Sequence, residues 1–268
     1  MPEHAAGESH PDEVAPGVYV ATAEQYTTTT TIVEGADGGC LLIDPAVSVA
    51  DLAALARWLR SRCLRPVTGW STHPHWDHLL WSREFGDAVR YATPRAVAVA
   101  ARELPGLIEG VQASSPGHDL EVFAKVEPLA AAMRTGTEIN WRGPRAVCYP
   151  HDAHAPGHGA VFLPETGVLI AGDMCSDIEI PLPDLDAADS CGGYRAGLDV
   201  LASVPGVTVV VPGHGHVGDR GEFRRRVAAD FAYLDAVEAG TDVDDPRLAV
   251  DWLRAEHARL IGLLADPG

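Results

Sequence analysis

Short apolar runs broken by glycine, proline and aspartate set the pattern of this chain. Residues 17–22, 27–34 and 39–44 predict three strands. A threonine-rich stretch through Thr31 favours extended backbone, and Gly35 to Gly39 marks a hairpin turn. Ser48 opens a helix with Asp51 three residues on, the spacing of a capping box. Leu52, Leu55, Ala56 and Leu59 give that helix one apolar face. A strand over 66–72 leads directly into His73. Residues 94–133 look helical, punctuated by Pro105, Pro116, Gly117 and Pro128. Strand signals return near 137–149, 159–163 and 167–172. A helix over 193–203, a buried strand over 207–211 and helices over 219–238 and 244–264 close the chain. Runs of strands with helices between them predict an α/β architecture of two sheets with helices outside. One domain spans 1–268, with a flexible tail at 1–15, a helical insert at 94–133 and C-terminal helices in 219–268.

Charge narrows the partners. The formal net charge is −18, and Lys125 is the only lysine. Nucleic acid and anionic membranes both need a positive footprint, so neither is expected as a partner. No apolar run reaches the ~18 residues that span a bilayer, and the polar N-terminus lacks the form of a signal peptide. The five cysteines are odd in number and lack metal-finger spacing, which fits reduced thiols in a cytoplasmic protein.

The chemistry concentrates in His73-Pro74-His75-Trp76-Asp77-His78, three histidines and an acid in six residues after a strand. In an extended loop alternate side chains share a direction, so His73 and His75 can chelate one ion while Asp77 and His78 turn toward another. Three more ligand-type segments follow at strand ends. They are His154-Ala155-Pro156-Gly157-His158, Ala171-Gly172-Asp173 and Val211-Pro212-Gly213-His214. Each alone is weak; the four in this order are jointly specific.

With these motifs the chain resembles the metallo-β-lactamase superfamily over roughly residues 17–218. The resemblance implies a four-layer αββα sandwich with a dinuclear metal site at one edge. It implies His73, His75 and His158 on a first zinc, Asp77, His78 and His214 on a second, and Asp173 bridging them. Asp44 matches an acid that supports the metal loop, with a simple strand cap as the other reading. The full set with a bridging aspartate looks more like glyoxalase II-type thioesterases and lactonases than like true β-lactamases. The implied activity is hydrolysis of a small ester, thioester, lactone or amide by a metal-bound hydroxide, with Asp77 orienting the nucleophile. Iron or manganese also suits these ligands. A mono-iron dioxygenase acting on a persulfide or thiol is the competing reading, and a non-catalytic metal-binding protein is a third.

Weaker candidates complete the reading. Tyr194 could donate to an oxyanion, and Trp76 and Trp81 could line the substrate entrance; packing is the alternative for all three. His154 and His216 flank ligand positions and read as supporting or surface residues. Cys175 reads as a buried thiol. The acidic stretch 177–190, which includes Glu179, is a solvated rim or, if it faces the pocket, a barrier to anionic substrates. The C-terminal helices could pack on their own domain or on a second subunit of a homodimer.

Overall fold

The computed structural model describes residues 10–265, and its first sheet holds seven strands in chain order. β1 (Asp12–Ala15), β2 (Val18–Thr22), β3 (Thr29–Glu34) and β4 (Gly39–Ile43) form an antiparallel meander. α1 (Val49–Ser61) then crosses over to β5 (Arg65–Trp70), parallel to β4, as a parallel pair requires. β6 (Val89–Ala92) follows in parallel, and α2 (Pro94–Ser114) precedes the two-residue β7 (Glu127–Pro128).

The second sheet holds six strands. β8 (Thr137–Glu138), β9 (Val147–His151), β10 (His158–Leu163) and β11 (Val168–Gly172) pair antiparallel. α3 (Ser190–Ala202) carries the chain to β12 (Val209–Pro212), parallel to β11, and β13 (Gly218–Asp219) ends the sheet. α4 (Arg220–Glu238) and α5 (Asp251–Ala265) follow.

The two-residue period of a strand explains the layering. Val18, Val20, Leu41 and Ile43 face Val161, Leu163, Val168 and Ile170 in a core between the sheets. Their neighbours Tyr19, Cys40 and Leu42 point the other way, onto the α1 and α2 side. Ala160, Phe162, Leu169 and Ala171 likewise face α3, α4 and α5. Both faces of the central strands are therefore buried, so they read as continuous apolar runs rather than as alternation. The result is the expected αββα sandwich.

Ser48 caps α1 as its sequence predicts: its Oγ accepts from the Asp51 amide at 3.1 Å, and Asp51 Oδ2 accepts from the Ser48 amide at 3.0 Å. Three expectations change. Residues 12–15 of the expected tail pair with β2 as a strand, while residues 1–9 lie outside the described region. The 94–133 insert is helical only to Ser114, because Pro116 and a Gly117 at positive φ break it; turns and β7 follow. The last helix starts at Asp251, after a short 3₁₀ turn at Pro246–Ala249. Among the described residues, no helix is long and apolar enough to cross a membrane.

Candidate metal centre

The ligand-type residues leave from one end of the sandwich, where the sheets are tied together. Thr29 donates its amide to Gly213 O at 2.8 Å, and Gly159 donates to Thr72 O at 2.7 Å. Trp70 Nε1 reaches across the same seam to Gly159 O at 2.9 Å. These bonds place the loops after β5, β11 and β12 beside the β9–β10 turn. After β5, a 3₁₀ turn over Trp76–His78 swings Asp77 and His78 inward.

Two donor groups result. His73, His75, His154 and Asp173 form one; Asp77, His78 and His214 form the other. In the first, His75 Nδ1 stands 3.1 Å from His73 Nε2 and 3.0 Å from His154 Nε2. Asp173 Oδ2 is 3.4 Å from His73 Nε2 and 3.3 Å from His154 Nε2. Donors around a tetrahedral ion with ~2.1 Å bonds sit roughly 3.4 Å apart, so this spacing fits one. In the second group, His214 Nε2 lies 3.1 Å and His78 Nε2 3.6 Å from Asp77 Oδ2. Asp173 also touches this group, with Oδ1 3.2 Å from His78 Nε2 and Oδ2 3.4 Å from His214 Nε2. It is the shared carboxylate.

In His73, His78, His154 and His214 the outward nitrogen is held by a partner that dictates its proton. A carbonyl can only accept, so Leu182 O takes the proton of His154 Nδ1 at 2.8 Å, and Tyr26 O that of His214 Nδ1 at 3.1 Å. Asp44 Oδ2 accepts from His78 Nδ1 at 3.0 Å and from Thr72 Oγ1 at 2.6 Å. With its hydrogen committed to Asp44, the Thr72 hydroxyl accepts from His73 Nδ1 at 3.0 Å. One carboxylate thus fixes a histidine in each group, and four Nε2 lone pairs converge on the centre. Among the described residues, His78 Nε2, Asp173 Oδ1 and both ring nitrogens of His158 are buried with no hydrogen-bond partner, which fits a cation-binding centre rather than a finished network.

Electrostatics agree. Burial disfavours the charged form of His78, but Asp173, Asp77 and Asp44 outweigh it and raise its pKa well above 6.5. His214 is raised in the same way by Asp173 and Asp77. Burial pushes Asp173 upward, and His78, His214 and His73 pull it well below the usual carboxylate range. In the first group the balance is opposite for two rings: burial lowers His73 and His75, which favours their neutral, metal-binding form.

The profile of the metallo-beta-lactamase superfamily matches residues 24–214, a span that ends on the last histidine of the centre. The chain belongs to this superfamily. Two solved structures share the superfamily fold. A metallo-beta-lactamase family protein from Thermus thermophilus is 23% identical, with a TM-score of 0.65 and 94% of each chain covered. A beta-lactamase domain protein from Burkholderia ambifaria is 18% identical, with a TM-score of 0.66, covering 88% of this chain and 76% of its own. Among curated proteins, none matches.

Within this superfamily site, the geometry departs from the sequence expectation at one ligand. His154, read as a supporting residue, occupies the first donor group; His158 does not. His158 is the first residue of β10, paired with His151, and its ring lies 4.9 Å from that of His73 and meets His151 edge-on at 4.4 Å. Gly172, at φ +58, leaves room for that ring: a Cβ there would lie 2.0 Å from His158 Nε2.

Other candidates sort by burial. Tyr194 is 2% exposed and packs in the core under α3, away from the cavity at the centre, so its expected oxyanion role is not supported by the geometry. Trp81 is 5% exposed and packs on Phe85 instead of lining the entrance. Trp76 does line the cavity. His216 pairs with Asp177 at 2.8 Å on the surface, and Cys175 is buried. The cavity measures about 390 Å³ and reaches Asp77, Asp173 and His214 from one side. Its far wall includes Glu179, from the acidic 177–190 stretch, and Trp252, which the sequence reading did not single out.

Proposed function

We propose that this protein is a dinuclear metal hydrolase, with zinc as its metal, acting on a small ester, thioester, lactone or amide. The observation that carries this reading is the shared carboxylate: Asp173 lies within 3.4 Å of histidines of both donor groups. His73, His75 and His154 would hold one ion, Asp77, His78 and His214 the other, and Asp173 both. The imidazole and carboxylate donors suit zinc with an open coordination position. Bound there, two zinc ions supply Lewis acidity toward a carbonyl and lower the pKa of water toward neutrality.

The chain's own residues supply orientation and proton handling. Asp77 lines the cavity and is held to His214 at 3.1 Å, so its carboxylate is placed to take the proton of the attacking water. Thr72 and Asp44 keep the His73 and His78 rings from rotating. Trp76, Leu107 and Leu182 form an apolar wall that limits water around the reacting bond.

An ester, thioester, lactone and β-lactam panel tests the reading, run on protein purified without added metal beside an Asp77→Ala variant. Turnover of one carbonyl class by the zinc-containing protein, lost in the variant, is expected. About one iron per chain with no hydrolysis would overturn it in favour of persulfide oxidation.

A further inference from the structure

The cavity beside the centre has an unusual balance of groups. Apart from the candidate ligands, it is lined by Tyr26, Trp76, Leu107, Glu179, Leu182 and Trp252. Three are aromatic and one is acidic, and among the described residues neither lysine nor arginine lines it. Tyr26 and Trp252 are 50% and 49% exposed, so ring surface is open at the mouth. Tyr26 meets Trp76 edge-on, with centroids 6.4 Å apart.

We propose that this cavity selects substrates carrying an ammonium or related cationic group, and that Glu179 is the residue that recognises the charge. The proposal deepens the hydrolase reading above and rests on it for the reaction. Open aromatic faces beside a carboxylate are the arrangement that recognises organic cations.

Glu179 is built into place. Its amide donates to Ser176 Oγ at 3.1 Å, and its carbonyl accepts from Arg247 Nη1 at 2.7 Å. Arg247 is itself anchored by Asp230 and Asp245, each at 2.7 Å. The backbone is thus pinned, while among the described residues no hydrogen bond or ion pair engages the Glu179 carboxylate.

The lining charges point the same way. Among the described residues, no lysine or arginine side chain lines the cavity to recognise an anion. Arginines occur in the adjoining cleft on the other side of His75 and His154. They are already paired, Arg102 with Glu103 at 2.6 Å and Arg259 with Glu256 at 2.8 Å.

The test measures binding of choline and of its uncharged carbon isostere, 3,3-dimethylbutan-1-ol, to zinc-loaded protein by tryptophan fluorescence. The cation is expected to bind about tenfold tighter, and the ratio to fall to about twofold or less in Glu179→Gln, shown to be folded by circular dichroism. Equal affinities, no binding of either, or a ratio that survives in folded Glu179→Gln overturns the proposal. Hydrolysis is measured separately on the carbonyl panel. A preserved wild-type ratio with no turnover there removes the hydrolase reading alone; turnover with no ratio removes the cation recognition alone.

Discussion

The Asp44 carboxylate accepts a hydrogen bond from His78 Nδ1 at 3.0 Å. Through Thr72 the same oxygen also controls His73, so one buried acid aims an imidazole at each half of the centre. Asp44→Asn keeps the volume but turns an acceptor into a donor or a weaker acceptor. Outer partners of metal-binding histidines are worth about 10–100-fold in metal affinity. Asp44→Asn is expected to weaken zinc binding by that factor with the fold retained, as read by competition with a chromophoric chelator. Unchanged affinity would reduce Asp44 to a strand cap.

Metal binding should be strongly pH-dependent. His78 and His214 are raised well above 6.5 by the surrounding carboxylates, so both are protonated in the metal-free protein at neutral pH. Ions must displace those protons, so apparent affinity rises with pH by up to ~100-fold per unit. Calorimetry in buffers of different ionisation enthalpy reads the protons released. Stability of the metal-free protein follows the opposite course on its alkaline side. A raised histidine contributes stability that is complete below 6.5 and lost as pH climbs through the folded value. A depressed aspartate contributes above 3.8 and loses it as pH falls. Denaturation with a chelator present should therefore find this contribution greatest between 3.8 and 6.5.

The two tryptophans of the loop after β5 separate packing from binding. Trp81 lies in the core against Phe85, so Trp81→Ala costs about 3–5 kcal/mol of stability. Trp76 forms a cavity wall, so Trp76→Ala raises KM about 3- to 10-fold, the equivalent of ~0.7–1.4 kcal/mol. Chemical denaturation and steady-state kinetics on both variants check the division; a reversed pattern would contradict the placement.

Much of this was legible in the chain because local physics and the fold agree. Ser48 and Asp51 announce α1, and the apolar runs around Leu41, Val161 and Leu169 announce strands buried on both faces. His73 to His78 has no structural purpose that would demand its composition. The place of His154 rather than His158 in the first donor group has a local cause. Both histidines sit in one short segment, and only the strand boundary decides between them. A residue in the turn projects over Asp173, whereas the first residue of β10 must follow the pleat inward. Gly157, at φ +77, marks that boundary in hindsight. Glu179 and Trp252 meet in the cavity from segments about seventy residues apart, and no local pattern carries that encounter.

Elemental analysis of the wild-type protein beside His154→Ala and His158→Ala tests the central claim most directly. The wild type is expected to carry two zinc ions per chain, His154→Ala to lose one, and His158→Ala, once shown to be folded, to keep both. A full complement in His154→Ala with a loss in folded His158→Ala would contradict the assignment, and a wild type without metal would contradict the centre itself.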